Sequence, residues 1–331
     1  MLFWEIFGDD LMWLEVYAGV ALLIGVAAWA FVPKIPIALI AFAITSSLIA
    51  VGAFRPFDYN SDTSNYFSYV YYLKFVTGDE IFFLTKLEPV HAALIFVTRD
   101  FRLWVIAEAA IEIFGLYLSY RVRPNAHSFI LLCAFVLTLS TSSLRFCASL
   151  IYFFYFIAKE EVTIVRAVRV TAILSLFHVS MLLSGAMALQ KRIAPLAVAV
   201  LCLAIFFESS VFLGARLDVV DYLNASTGRK TFAVAVSAVL YLVLRQPLGK
   251  SAYLGLYLLS LLSLFLISST VLVTFNRFLI VGALVILIKE WRQVRGDNDD
   301  IFDRGMVLLL ATAVVAPYVL TLPQLYFSGE W

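Results

Sequence analysis

Residues 54–72 read FRPFDYNSDTSNYFSYVYY. An arginine, two aspartates, two asparagines and five tyrosines interrupt a chain that is otherwise apolar. Of the 331 residues, 63% are hydrophobic and 14% are charged. Soluble domains carry about 25% charged residues. Around the polar stretch, apolar runs recur at about 20 residues, the length that crosses a bilayer core. The composition therefore predicts an all-α polytopic membrane protein with about 10–12 transmembrane or re-entrant helices. No long polar linker divides the chain, so residues 1–331 are expected to form a single integral membrane domain. The net charge of +1 argues against a nucleic-acid partner.

Helices are expected near 13–32, 35–54, 101–120, 128–142, 144–158, 193–207, 231–246, 251–273, 277–290 and 305–322. The stretch EPVHAALIFVT (88–98) is too short to span alone and reads as re-entrant. Residues 162–190 carry a polar break at Phe177-His178-Val179-Ser180, which reads as the tip of a helical hairpin. The first apolar run has acidic flanks (Glu5, Asp9, Asp10), whereas a cleavable signal peptide starts basic. Lys and Arg accumulate on the cytoplasmic side of membrane proteins. Placing the N-terminus outside puts most of the 24 Lys and Arg residues inside. It also makes residues 55–100 and 208–230 outer loops.

In this orientation Arg55, Asp58, Asp62, Glu88, Arg145, His178 and Arg277 all fall on the outer side, although they come from at least five segments. A charge at the centre of a membrane helix costs at least ~2.5 kcal/mol, so such groups face a cavity or a partner. The economical arrangement is a polar cavity open to the outer face. The tyrosines after the polar turn suit an amphipathic helix at the membrane surface. Tyr66 and Tyr69 are also candidates for stacking on a sugar. Glu108 and Glu112, four apart, share one face of a spanning helix and are expected to be buried and bonded, protonated, or lining the cavity. His91 and His127 stand in no constellation. Cys133, Cys147 and Cys202 lie in apolar segments without metal-ligand spacing and read as structural thiols.

Five segments in order, FRPFDYNSDTSNYFSYVYY, LEPVHAALI, SSLRFCASLIYF, LSLFHVSML and FNRFLI, resemble the EpsG family of Wzy-like exopolysaccharide and O-antigen polymerases. The set runs across roughly residues 50–290. Two departures stand out. The family's Gly-Thr-Asp style turn is Asn60-Ser61-Asp62-Thr63 here, and Phe146 rather than glutamine follows the middle arginine. The resemblance implies a GT-C-like glycosyltransferase bundle in the bacterial cytoplasmic (inner) membrane, with its active site facing the periplasm and no metal or other cofactor. The implied substrate is a polyprenyl (undecaprenyl) diphosphate-linked oligosaccharide. Its glycan is transferred to the sugar end of a second lipid-linked repeat unit. Membrane lipid and a chain-length regulator protein are the other implied partners.

The chemistry fits the outer residues. Expulsion of a lipid diphosphate builds negative charge that a cation must neutralise. Arginine forks match phosphate oxygens, which makes Arg145, Arg277 and Arg55 candidates for diphosphate binding. Each is equally explained as an arginine reaching the headgroup layer. The acceptor hydroxyl must lose a proton, for which His178, Asp62 or Glu88 would serve. Asp58 and Asp62 would alternatively orient the sugar or cap the turn. A transporter or flippase, a non-catalytic assembly subunit and a glycan ligase remain alternative readings, the Glu108/Glu112 pair being the best feature of the transporter.

Overall fold

The computed structural model describes residues 8–56, 59, 61–73, 89–123, 125–140, 144–159, 163–178, 181 and 301–328. Helices expected at 193–207, 231–246, 251–273 and 277–290, and the outer loop 208–230, lie outside them. The chain divides into two compact units: Met1–Lys159 with Leu176–His178 and Trp291–Trp331, and Glu160–Ser175 with Val179–Glu290.

The described residues are helical, with no strand among them. In the first unit they form α1 (Gly8–Phe31), α2 (Ile37–Gly52), α3 (Ser61–Leu73), α4 (Pro89–Thr98), α5 (Phe101–Val122), α6 (Ala126–Leu139) and α7 (Leu144–Lys159). The second unit contributes α8 (Ile164–Ser175), and α9 (Ile301–Ser328) returns to the first. Among the described residues, two helices are long and apolar enough to cross a membrane, over Asp10–Phe31 and Asp303–Leu320. At 1.5 Å per residue these spans measure roughly 33 Å and 27 Å, matched to a hydrocarbon core of about 30 Å. α1 buries Leu11, Leu22, Val26 and Trp29 on one side and exposes Trp13, Tyr17, Val20, Ile24 and Phe31 on the other. A helix apolar on both faces has no preference for water on either.

Local chemistry sets the boundaries. Pro33 and Pro36 stop α1 and reset the chain for α2, since neither can donate an amide proton. Asp100 caps α5 by accepting from the amides of Arg102 and Leu103 at 2.9 and 3.0 Å. Asn125 caps α6 by accepting from the Ser128 amide at 2.9 Å. Between α4 and α5, Arg99 adopts φ 49°, the left-handed region that lets the ten-residue α4 turn straight back into α5. α4 is roughly 15 Å long, half of what a crossing requires.

α6 is buried on every side from Ser128 to Leu137 and forms the centre of the first unit. α1, α2, α7 and α9 pack around it, and α5 packs on α2 and α7. The short loops make neighbouring helices run in opposite directions, so chemistry sorts to two ends. At one end the Arg304 guanidinium donates to the Trp29 carbonyl at 3.3 Å, and the His127 ring stands edge-on to Trp29. Glu15, Arg55, Ser140, Arg145 and Tyr318 gather towards the other.

Candidate functional site

α3 starts inside the polar stretch. Asp62 therefore lies in the first turn of a helix rather than on the flexible turn that the sequence suggests. Thr63, Tyr66 and Val70 face inward, and Phe67 and Tyr71 face outward at 37% and 52% exposure. The outward pair fits the expected amphipathic surface helix; the inward residues contact the site. Tyr66 is buried, Tyr69 is half-buried, and neither is an open platform in this conformation.

Arg145 begins α7 and reaches Tyr66. Its Nε donates to the Tyr66 hydroxyl oxygen at 2.9 Å, and its guanidinium stands 5.2 Å from the ring centroid. Trp104 on α5 also packs against Tyr66, at 4.8 Å between ring centroids. The next residue along α7, Phe146, meets the His178 ring edge-on at 5.5 Å. His178 follows the end of α8 at Ser175, as the polar break predicts, and is buried. Its neighbour Phe177 packs on His91 and Tyr152, and the Val90 amide donates to the Leu176 carbonyl at 3.2 Å. Four of the five sequence segments singled out above thus touch one another. Arg277, in the fifth, lies outside the described residues, as do Asp58 and Glu88. Nothing is described of the Asp62 side chain.

Arg55 takes a different place. Its side chain is 1% exposed and donates to the carbonyls of Gly52 and, at 3.1 Å, Ser140. Arg102 covers it by donating to the Arg55 carbonyl. Burial lowers the Arg55 pKa below its ordinary value, and the Glu112 and Glu15 carboxyls pull the other way. The fork expected for a diphosphate is engaged by the protein's own acceptors here.

Beneath Arg55 lies a cluster of buried ionisable groups. Glu15 accepts from the Tyr59 hydroxyl at 2.9 Å and, at its other oxygen, from the Tyr318 hydroxyl. His91 Nδ1 and Glu108 Oε1 are hydrogen-bonded, both residues fully buried. This corrects the reading of His91 as a residue without a constellation. Glu112 is also fully buried, beside Glu108, Arg55 and the Cys147 thiol, and neither of its oxygens accepts a hydrogen bond of ordinary geometry. Glu15, Tyr59 and Tyr318 are absent from the sequence-based site. Glu15 carried a usable signal, as an acid inside the first apolar run. The tyrosines carried none, because Tyr318 is about 300 residues from its partner.

The chain matches no family model, no curated protein and no solved structure.

Proposed function

We propose that the chain is a multi-pass protein of a bacterial cytoplasmic membrane that polymerises polysaccharide. It transfers a glycan from a polyprenyl diphosphate to the sugar end of a second lipid-linked repeat unit, at the outer face and without a metal. The observation that carries this reading is the meeting of the Arg145, Tyr66, His178 and His91 segments in one place. In this scheme Arg145, with Arg277, neutralises the departing diphosphate. His178 takes the acceptor's proton, and Asp62, Tyr66 and Tyr69 hold sugar. The exposed apolar side of α1 supports a membrane setting.

The buried cluster of Glu15, Arg55, His91, Glu108 and Glu112 favours one rival, a transporter or flippase of lipid-linked glycan, since such groups line ion and substrate paths. Purified protein in liposomes with lipid-linked repeat units separates the two. A polymerase produces a ladder of longer lipid-linked glycans. Movement of unextended repeat units across the bilayer, with no ladder, rejects the polymerase.

A further inference from the structure

Among the described residues, the cluster beneath Arg55 holds more carboxyls than cationic groups. Its carboxyls are Glu15, Glu108 and Glu112, all fully buried. Its cationic groups are Arg55 and, when protonated, His91. Glu15 accepts from two tyrosine hydroxyls. His91 is matched to Glu108. Arg55 serves both Glu15 and Glu112 electrostatically, while Gly52 and Ser140 carbonyls take its donors. One carboxyl is left over, and an uncompensated buried carboxylate is the costly arrangement.

The leftover group is identified by its bonds. Among the described residues, no donor of ordinary hydrogen-bond geometry meets either oxygen of Glu112 or the Glu108 Oε2, the Cys147 thiol being the polar group beside Glu112. Glu108 and Glu112 are one turn apart on the same face of α5. Among the described residues, the titratable groups facing Glu112 are Glu108 on its own helix, Cys147 on α7 and Arg55 after α2, with Glu15, Tyr59 and Tyr318 beyond Arg55. A metal cation needs several converging ligands. Among the described residues no group of three or more His, Cys, Asp and Glu is placed to hold one.

We propose that Glu112 is a proton-binding site, holding one exchangeable proton, with the Glu108 carboxyl one turn away on the same face of α5. The site stands independently of the sugar-transfer reading. It gives the fold a buried proton store where α5 packs on α7.

Infrared difference spectroscopy on the full chain in liposomes tests it. At neutral pH the wild type is expected to show the carbonyl band of a protonated carboxylic acid, shifted in D2O. Glu112→Gln should lose that one band and keep the thermal stability of the wild type, while Glu108→Gln should retain the band at a shifted frequency. Absence of the band from the wild type, or its survival in Glu112→Gln, overturns the proposal. If Glu112→Gln fails to fold, Glu112→Asp should move the band, and an unmoved band is equally fatal. Disappearance of the band when sodium is added at fixed pH assigns the site to a metal cation and also overturns it.

Discussion

The Arg145 guanidinium rests on the ring of Tyr66 and donates to that ring's hydroxyl at 2.9 Å. One contact thereby ties the start of α7 to the surface helix that follows the polar turn. The bond fixes the direction of the Arg145 fork, and Trp104 packed against Tyr66 fixes the ring. Lysine at this position keeps the charge but has no fork to share between a hydroxyl and a phosphate.

Arg145→Lys should therefore lower polymerisation by on the order of 10²- to 10³-fold, the usual cost of removing one oriented transition-state donor. Tyr66→Phe should cost about 1 kcal/mol in stability and leave part of the turnover. The measurement is initial rate with purified lipid-linked substrate, with thermal unfolding alongside. The same assay should survive EDTA. Rates abolished by EDTA and restored by a divalent metal would count against the arginine scheme.

The His91–Glu108 pair makes a prediction about folding. Removing one member of a buried pair leaves the other uncompensated, which typically costs ~3–5 kcal/mol. His91→Ala and Glu108→Ala should each lower the unfolding temperature clearly. His91→Leu combined with Glu108→Leu should recover much of the loss, because apolar replacements leave no orphaned charge. A double variant worse than either single one would show that the pair does more than satisfy itself.

At Gly115, α5 lies tight against α7. A Cβ there would lie 2.9 Å from the Ile151 Cγ2 and 2.9 Å from the Tyr152 ring. The Tyr152 hydroxyl already donates to the Ile111 carbonyl at 3.1 Å, so the ring has little freedom to retreat. Gly115→Ala should destabilise by about 1–3 kcal/mol, the range for overpacking. Thermal unfolding in detergent measures it, and an unchanged midpoint would mean that α7 yields.

Periodicity and punctuation in the sequence were enough to locate most described helices within a few residues. Pro33 and Pro36, Asp100 and Asn125 act locally, so their effects are legible locally. The polar break at His178 is of the same kind. Long-range pairing was not legible. Nothing near His91 announces Glu108, and nothing near Glu15 announces Tyr318, because those partners are chosen by how α1, α4, α5 and α9 pack. Arg55 shows the limit from the other direction. From its sequence it reads as an outer arginine at the headgroup layer or on a diphosphate, whereas packing turns it inward onto Ser140.

The inferred orientation rests on basic residues and is open to direct labelling. Cysteines introduced at Ser61 and Ser142 should react with an impermeant reagent added outside intact cells, and one at Asn125 should not. Reaction at Asn125 from outside would require 88–98 to cross the membrane and would reverse the face assigned to Arg145.

The last prediction separates His178 from Asp62. A histidine base works as the neutral imidazole. With His178 as the base, the wild-type rate should rise with pH as the ring loses its proton and then level off. His178 is buried against Phe146, one residue from Arg145, which places it beside the proposed leaving-group site. A general base contributes typically about 10²- to 10⁴-fold. His178→Ala should therefore bind lipid-linked substrate, barely extend it, and lose the pH step. Asp62 sits in the first turn of α3. A carboxyl group is a good hydrogen-bond acceptor for sugar hydroxyls. Asp62→Asn should mainly raise the substrate concentration required, with the pH step intact. If His178→Ala keeps near-normal rates while Asp62→Asn loses several orders of magnitude at saturating substrate, the two roles are exchanged, and the proton leaves through α3 rather than through the turn after α8.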